Sequence, residues 1–328
     1  MTPTLPDSAK PPLLDVQGLS TWYPIKKGVF ARTVGHVRAV DGVDMTLRRG
    51  ETLGIVGESG CGKSTLARTV LQLEKPRAGT IRVNGADIAT LRGAARLAYR
   101  RAVQVVFQDP HASLNPRHTV LDILTEAMLV HGLATHANRR EAAIRLLADV
   151  GMPGDILDRY PHAFSGGQRQ RLCIARALAL DPELLICDEA VSALDLSVRA
   201  QVLNLLQDIQ AKRGLAYLFI THDIGVVQHI ADRIAVMYLG KIVETGPAET
   251  VLDSPAHPYT QLLLRAVPKI GVPLPEETGS PEADRSRPRQ GCPFAPRCPL
   301  ADEKCRAEAP ELMPPLSAPD HPRACFKA

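Results

Sequence analysis

Residues 52 to 64 read TLGIVGESGCGKS. The apolar run Thr52-Leu-Gly-Ile-Val56 is short, does not alternate and stops at Gly57, the pattern of a strand buried on both faces. The next eight residues, GESGCGKS from Gly57 to Ser64, have the order G-x-x-x-x-G-K-S of a loop that binds phosphate and opens a helix. Glycines free the backbone N–H groups to wrap an anion, and the helix behind them points its unpaired N–H groups at the same charge. Lys63 would reach the β- and γ-phosphates, the Ser64 hydroxyl would ligand Mg2+, and Thr65 extends the cradle. Cys61 occupies a permissive position of the loop and reads as a small filler.

Three further runs of the same character lie downstream: AVQVVFQD (102–109), LLICDEA (184–190) and AYLFITHD (216–223). Helical patterns at 119–133, 138–151 and 198–214 separate the strands, the last ending at Gly214 as a helix C-cap. Strands alternating with helices predict an α/β domain with a parallel sheet. Each run delivers a polar or glycine-rich group at its carboxyl end, where such sheets bind ligands. Asp188 closes one run, and a carboxylate there is costly unless it meets a cation, so it is the candidate holder of hydrated Mg2+. Its neighbour Glu189 is the candidate to polarise an attacking water. Gln108 can contact metal and water, and His222 can hydrogen-bond the γ-phosphate or that water.

A second anion-binding surface is written in FSGGQRQRLCIARALALDP (164–182). Ser165 with Gln168 three residues on is a capping-box pattern, and Gly166 and Gly167 leave the helix start bare. This surface has neither a lysine for phosphates nor a metal ligand. A complete phosphate site beside a metal-free one implies that two subunits meet head to tail, each completing the other's pocket.

The whole chain has 328 residues, 45% hydrophobic and 23% charged, as in soluble globular proteins. Its net charge of +4 is too small to argue for a nucleic-acid binder. No run approaches the roughly 18 apolar residues of a membrane-spanning helix, and MTPTLPDSAK lacks a signal peptide's apolar stretch, so any membrane role is expected to be peripheral. Of 27 prolines, 13 lie from Pro268 onward, and four of seven cysteines come after Gly291. The tail spacing is Cys292-x5-Cys298-x6-Cys305-x19-Cys325. Four cysteines in a reducing compartment point to metal or cluster ligands rather than disulfides, yet this spacing matches neither a zinc-finger pair nor a bacterial ferredoxin run. An iron–sulfur cluster, zinc and free or redox-regulated thiols all stay open. His257 and His321 are possible substitute ligands but read as ordinary surface residues, and Cys173 and Cys187 read as buried small residues. Residues 1–12 read as disordered and 266–290 as a proline-rich linker.

Taken in order and spacing, the phosphate loop, Gln108, FSGGQ, LLICDE, SALD (192–195) and His222 resemble the ATP-binding cassette (ABC) ATPases over about residues 13–265. More narrowly the chain resembles the ATPase subunits of bacterial dipeptide, oligopeptide and nickel importers. The stretches that carry this are WYPIKKG (22–28), VFQDPHASLNPR (106–117), RYPHAFSGGQRQR (159–171), VRAQVLNLL (198–206), HPYTQLLL (257–264) and the cysteine segment 291–328. WYPIKKG is most similar to the second, dipeptide-type subunit of such pairs.

The resemblance implies a P-loop NTPase of the ABC ATPase fold: a RecA-like parallel sheet core, an antiparallel β subdomain, an α-helical signature subdomain at about 112–180, and the cysteine-bearing extension. It implies that Tyr23 stacks on adenine and that Gly57, Ser59, Gly60, Cys61, Gly62, Lys63, Ser64 and Thr65 bind phosphate. Ser64, Gln108 and Asp188 would hold Mg2+, with Glu189 as catalytic base and His222 as switch. Ser165, Gly166, Gly167 and Gln168 would press on the partner's ATP, with Asp195 at the dimer seam. Expected partners are a paralogous ATPase, or a second copy in isolation, two transmembrane permease subunits and, indirectly, an extracytoplasmic solute-binding protein. No nucleic acid is expected, and the place of work is the cytoplasmic face of the bacterial inner membrane. Similar subunits imply a 4Fe–4S cluster on Cys292, Cys298, Cys305 and Cys325, with zinc the alternative. The signature departs from the family at Phe164, where leucine is commoner, and at Ala190, where proline usually comes after the glutamate. Neither position touches a reacting group, so ATPase competence is expected. Nickel, glutathione or another small solute stands beside peptides as cargo. A soluble cassette ATPase of DNA repair would need long coiled-coil insertions and one of translation two cassettes; neither is present. An inactive regulatory module is opposed by the intact Lys63, Asp188, Glu189 and His222.

Overall fold

The structure is a computed structural model, and it describes residues 11–28, 31–266, 290–316 and 318–328. The disorder expected before residue 13 and the linker expected at 266–290 fall almost wholly outside the described residues. Ten strands are present among them: β1 (Leu14–Lys27), β2 (Arg32–Leu47), β3 (Thr52–Val56), β4 (Ala78–Val83), β5 (Ala86–Asp87), β6 (Val103–Val106), β7 (Leu184–Asp188), β8 (Ala216–Thr221), β9 (Arg233–Tyr238) and β10 (Lys241–Pro247). The chain divides into two compact units. One is drawn chiefly from Leu47–Glu51 and Thr90–Ile220, the other from Leu14–Thr46, Thr52–Ala89 and the described part of Thr221–Ala328.

In the second unit β3 runs parallel to β9, Leu53 opposite Arg233 and Val56 opposite Val236. Strand β10 pairs antiparallel with β9, its register shifting between Ile242 and Glu244. All five residues of β3 are buried, as an unalternating run requires. The start of β3 is pinned by Asp232, whose carboxylate accepts from the Thr52 N–H at 2.7 Å. A separate antiparallel sheet has the order β2-β1-β4-β5. This is the β subdomain that the family resemblance implies; the four apolar runs of the sequence do not contain it. The core of the unit gathers Val56, Val227, Val236, Tyr238, Tyr259 and, from the tail, Phe294. Residues 322–324 lie along β10: Ala324 N–H donates to the Val243 carbonyl at 2.8 Å and Thr245 N–H to the Pro322 carbonyl at 3.0 Å. They cover peptide groups that a sheet edge otherwise leaves unpaired.

In the first unit β6, β7 and β8 are parallel, Val103 opposite Leu184 and Ile186 opposite Leu218. Every residue of β7 and β8 is buried. The helices Val120–Val130, Arg139–Asp149 and Gly166–Leu178 pack against one another. The helix Leu196–Arg213 stops at Gly214, whose φ of 65° is the left-handed turn that glycine adopts at a helix end. Burial works against the Asp149 carboxylate, but hydrogen bonds from Lys212 and Arg213 outweigh it and hold its pKa below the ordinary aspartate value. Among the described residues no helix is long and apolar enough to cross a membrane.

Candidate nucleotide site and cysteine tail

The phosphate loop leaves β3 and enters the helix Lys63–Val70, with Gly62 as its N-cap. Two of its glycines are dictated by space. A Cβ on Gly57 would stand 2.2 Å from the Met237 carbonyl oxygen, and one on Gly62 2.0 Å from that of Ala39, at φ values of 157° and 116°. At these two positions the loop passes β9 and β2 with no room for a side chain. Lys63 is 4% exposed. Its ammonium donates to the carbonyls of Gly57 at 2.7 Å and Glu58 at 3.0 Å, and faces Cys61 Sγ at 3.7 Å. Sulfur is a weak acceptor, so a phosphate oxygen can replace the third contact without disturbing the first two. Ser59 and Gly60 are exposed; Ser64 and Thr65 are half-buried. Tyr23, also half-buried on β1, has its pKa raised by burial and then by Glu74, while a hydrogen bond with Thr65 works the other way. The neighbouring Trp22 ring lies 4.4 Å from the Arg38 guanidinium and 4.5 Å from that of Arg77. In the same unit His222 comes directly after β8 and is exposed. Beyond it, Asp223 caps the helix Ile224–Ile230 by accepting from the Gly225 N–H at 2.9 Å.

In the other unit Asp188 ends β7 and is 6% exposed. Glu189, next in the chain, has a φ of 51°, a left-handed backbone that a glutamate adopts only when its surroundings enforce it. Enforcement is visible: its N–H donates to the Ile220 carbonyl at 2.9 Å, and its own carbonyl accepts from Ser192 Oγ at 2.9 Å. Ala190, at the position that departs from the family, is buried. Gln108 is exposed two residues beyond β6, beside Asp109, which caps the turn Pro110–Ser113.

The signature helix Gly166–Leu178 carries the capping box the sequence predicts. Ser165 N–H donates to Gln168 Oε1 at 3.0 Å and Gln168 N–H to Ser165 Oγ at 3.4 Å. Ser165, Gly166 and Gln168 are exposed. A Cβ on Gly166 meets open space, whereas one on Gly167 would stand 2.4 Å from Val198. Phe164, directly before this turn, is 6% exposed. Asp195 is exposed at the head of Leu196–Arg213.

Residues 40–192 match the ABC transporter family, and residues 243–305 match the oligopeptide/dipeptide transporter C-terminal region. The oligopeptide transport ATP-binding protein AppF of Bacillus subtilis is 48% identical over 95% of this chain and 96% of its own length. The dipeptide transport ATP-binding protein DppF of Escherichia coli is 47% identical over 92% of this chain and 91% of its own. The chain belongs to the ABC transporter ATPases. Among solved structures, cbiO1 of Clostridium perfringens, part of the transporter complex cbiONQ, superimposes on the ABC ATPase with a TM-score of 0.63 at 28% identity, covering 75% of this chain and 92% of that one. The cassette MJ0796 bound to ADP and Pi gives 0.63 at 26% identity, covering 72% and 98%.

The tail of the ABC ATPase belongs to the unit that carries the phosphate loop. Cys292, Cys298, Cys305 and Cys325 line one cavity of about 10 Å³ together with His257, Pro258 and Phe294. That is room for about one water molecule. Burial raises the Cys292 and Cys325 thiols above their ordinary range, and neighbouring cysteines push the same way. The donors suit a soft metal, but among the described residues no three His, Cys, Asp or Glu side chains stand where they would hold a metal ion. This geometry therefore does not support the iron–sulfur assignment. Cys173 and Cys187 are buried, as expected, with thiols pushed up to about 11 and about 12 by burial.

The expectation that His257 and His321 are surface residues is corrected: they are 1% and 5% exposed. The fully buried Glu244 carboxylate accepts from the N–H groups of Ala256 at 2.7 Å and His257 at 3.0 Å, and pairs with His321 Nε2 at 2.6 Å. His257 Nδ1 accepts from Tyr259 N–H at 3.0 Å, and burial lowers this imidazole's pKa to about 4. The two residues serve a buried carboxylate that needs partners. Three residues around the loop also have no local signal in the sequence. Glu58, in a permissive loop position, receives a two-pronged ion pair from Arg297 at 2.8 and 2.9 Å. Its N–H donates to Tyr259 Oη at 2.9 Å. The signal that could have flagged Glu58 is chemical: a carboxylate in an anion-binding loop demands a cation.

Proposed function

We propose that this ABC ATPase is the ATP-hydrolysing subunit of a bacterial importer for di- or oligopeptides. It works at the cytoplasmic face of the inner membrane with a paralogous ATPase, two permease subunits and an extracytoplasmic binding protein. The single observation that carries the reading is the match of residues 243–305 to the oligopeptide/dipeptide transporter C-terminal region, with AppF and DppF aligned over nearly the whole chain.

The residues of the site divide the work. The loop residues Gly57 and Ser59 to Thr65, with the Lys63 ammonium, hold the phosphates. Ser64, Gln108 and Asp188 would hold the Mg2+ that arrives with ATP and offsets phosphate charge. Glu189 takes a proton from water attacking in line with the leaving oxygen, His222 hydrogen-bonds the γ-phosphate, and Tyr23 stacks on adenine. Ser165, Gly166, Gly167 and Gln168 meet the ATP held by the opposite subunit, with Asp195 beside them. Two ATP molecules favour the closed pair because they bind it better than the open one, and hydrolysis removes that bias.

In the assembled transporter, Glu189→Gln keeps ATP binding and lowers phosphate release about 100-fold or more; undiminished release overturns the catalytic assignment. Stimulation of ATP hydrolysis by peptide-loaded binding protein supports peptide cargo, and stimulation by nickel or glutathione instead reassigns it. For the tail, Cys292, Cys298, Cys305 and Cys325 line one cavity but do not stand as a metal-holding group, so the three alternatives are separated by experiment. Visible charge-transfer absorbance after anaerobic purification identifies an iron–sulfur cluster, stoichiometric zinc in a colourless protein identifies zinc, and neither leaves free thiols.

A further inference from the structure

The tail touches the phosphate loop at Glu58. Both the N–H and the carboxylate of this residue are engaged from beyond residue 257, and its carbonyl is engaged from within the loop. The carbonyl holds Lys63 at 3.0 Å, the N–H donates to Tyr259 Oη at 2.9 Å, and the carboxylate meets both terminal nitrogens of Arg297. Tyr259 is fully buried, 4.5 Å from the Tyr238 ring and 5.5 Å from Phe294. Arg297 is equally fixed. Its side chain is 11% exposed, its guanidinium lies 5.9 Å from the Tyr238 ring and 5.8 Å from Phe294, and it closes the turn Ala295–Arg297 directly before Cys298.

The chemistry of this contact is specific. A carboxylate in a loop built to receive a triphosphate carries the wrong sign for its ligand, and repulsion between like charges falls off only over the roughly 8–10 Å of ionic screening. A bidentate guanidinium cancels that charge and fixes its direction, which a lysine's single ammonium cannot do in the same way.

Resting on the reading of Gly57–Thr65 as the phosphate site, we propose that Arg297 of the C-terminal segment is a positioning residue of the nucleotide site. It neutralises Glu58 and holds the loop in the shape that binds ATP. The segment bearing the cysteines is thereby part of the nucleotide site's support. By linkage, whatever displaces the Ala295–Cys298 turn weakens ATP binding, and bound ATP holds that turn in place by the same factor.

The experiment uses the full-length chain with a fluorescent ATP analogue, together with ATP hydrolysis in the assembled transporter. Arg297→Ala raises the nucleotide Kd about tenfold, within the usual range of coupling between sites, and raises KM in step while kcat at saturating ATP stays within about twofold. The loss is larger at low salt than at about 0.5 M salt, because it is a repulsion. Adding Glu58→Gln to Arg297→Ala recovers most of the affinity, since no uncancelled charge is left, and Arg297→Lys falls between wild type and Arg297→Ala. Lys63→Ala is the separate control on the underlying reading: if it binds nucleotide normally, the phosphate-site assignment fails, not the Arg297 assignment. With Lys63→Ala inactive, wild-type Kd in a folded Arg297→Ala overturns the proposal. So does a salt-independent loss that Glu58→Gln fails to relieve, which is the mark of a merely structural role. Should Arg297→Ala not fold, Arg297→Gln, which keeps the volume without the charge, is read against the same criteria.

Discussion

Two glycine-rich turns open helices in this molecule, and they are built in opposite ways. The phosphate loop is closed: Gly57 and Gly62 lie against the backbones of β9 and β2, Lys63 is buried, and no side chain caps the helix Lys63–Val70. The FSGGQ turn is open: Ser165, Gly166 and Gln168 face outward, Gly166 has free space around it, and its helix is capped by its own Ser165 and Gln168. On the proposed reading, the loop that envelops a triphosphate is moulded by its own body. On the same reading, the turn that meets another subunit's nucleotide is self-capped without it.

The contrast can be broken at four points, in falling order of effect. Gly62→Ala forces a Cβ to within 2.0 Å of the Ala39 oxygen, so nucleotide binding is lost and the melting temperature drops, as calorimetry with and without ATP reads directly. Gly166→Asp meets no steric barrier. The variant melts like wild type and binds ATP as an isolated chain, yet places a carboxylate against the partner's phosphates and loses turnover in the assembled transporter. If Gly166→Asp instead lowers the melting temperature as Gly62→Ala does, the open character of this turn is wrong. Ser165→Ala removes the cap at a cost of about 1 kcal/mol, measurable by denaturant titration, and leaves ATP binding by the isolated chain unchanged. Smallest is a purely structural comparison in the signature-bearing unit. Because the Asp149 pKa is lowered on folding, its contribution is present above the ordinary aspartate pKa of about 3.9 and is lost as pH falls through the folded value. With solvent screening of a partly exposed cluster taken into account, Asp149→Asn destabilises by about 0.5 kcal/mol at neutral pH and progressively less below about pH 4, checked by melts at both pH values.

How far the residues alone reach depends on the distance over which a signal acts. The phosphate loop, the capping box, the Gly214 stop and the buried runs β3, β7 and β8 are local patterns, and each stands where the sequence puts it; β6 is less buried than its run suggests, with Gln104 and Val105 half-buried. The left-handed backbone of Glu189 is less legible, because it is imposed by Ile220 and Ser192 rather than by Glu189 itself. His257 and His321 read as surface residues because nothing adjacent marks them; their burial answers to Glu244, 77 residues before His321. Arg297 lies 239 residues from Glu58, and no window along the chain holds both. The four thiols are legible as a group, since composition alone isolates them, but that they line one cavity with room for about one water molecule is not, because spacing carries no information on that.

The fastening of the tail has a consequence for exchanging parts between transporters. Arg297 answers to Glu58 and His321 to Glu244, so the C-terminal segment and the cassette share one ion pair and one buried hydrogen-bonded pair, each with one member on either side of residue 290. A hybrid that takes its cassette from one subunit and its terminal segment from another inherits half of each pair. The transplantable module is the segment together with positions 58 and 244, and a junction drawn at residue 290 alone cuts through it.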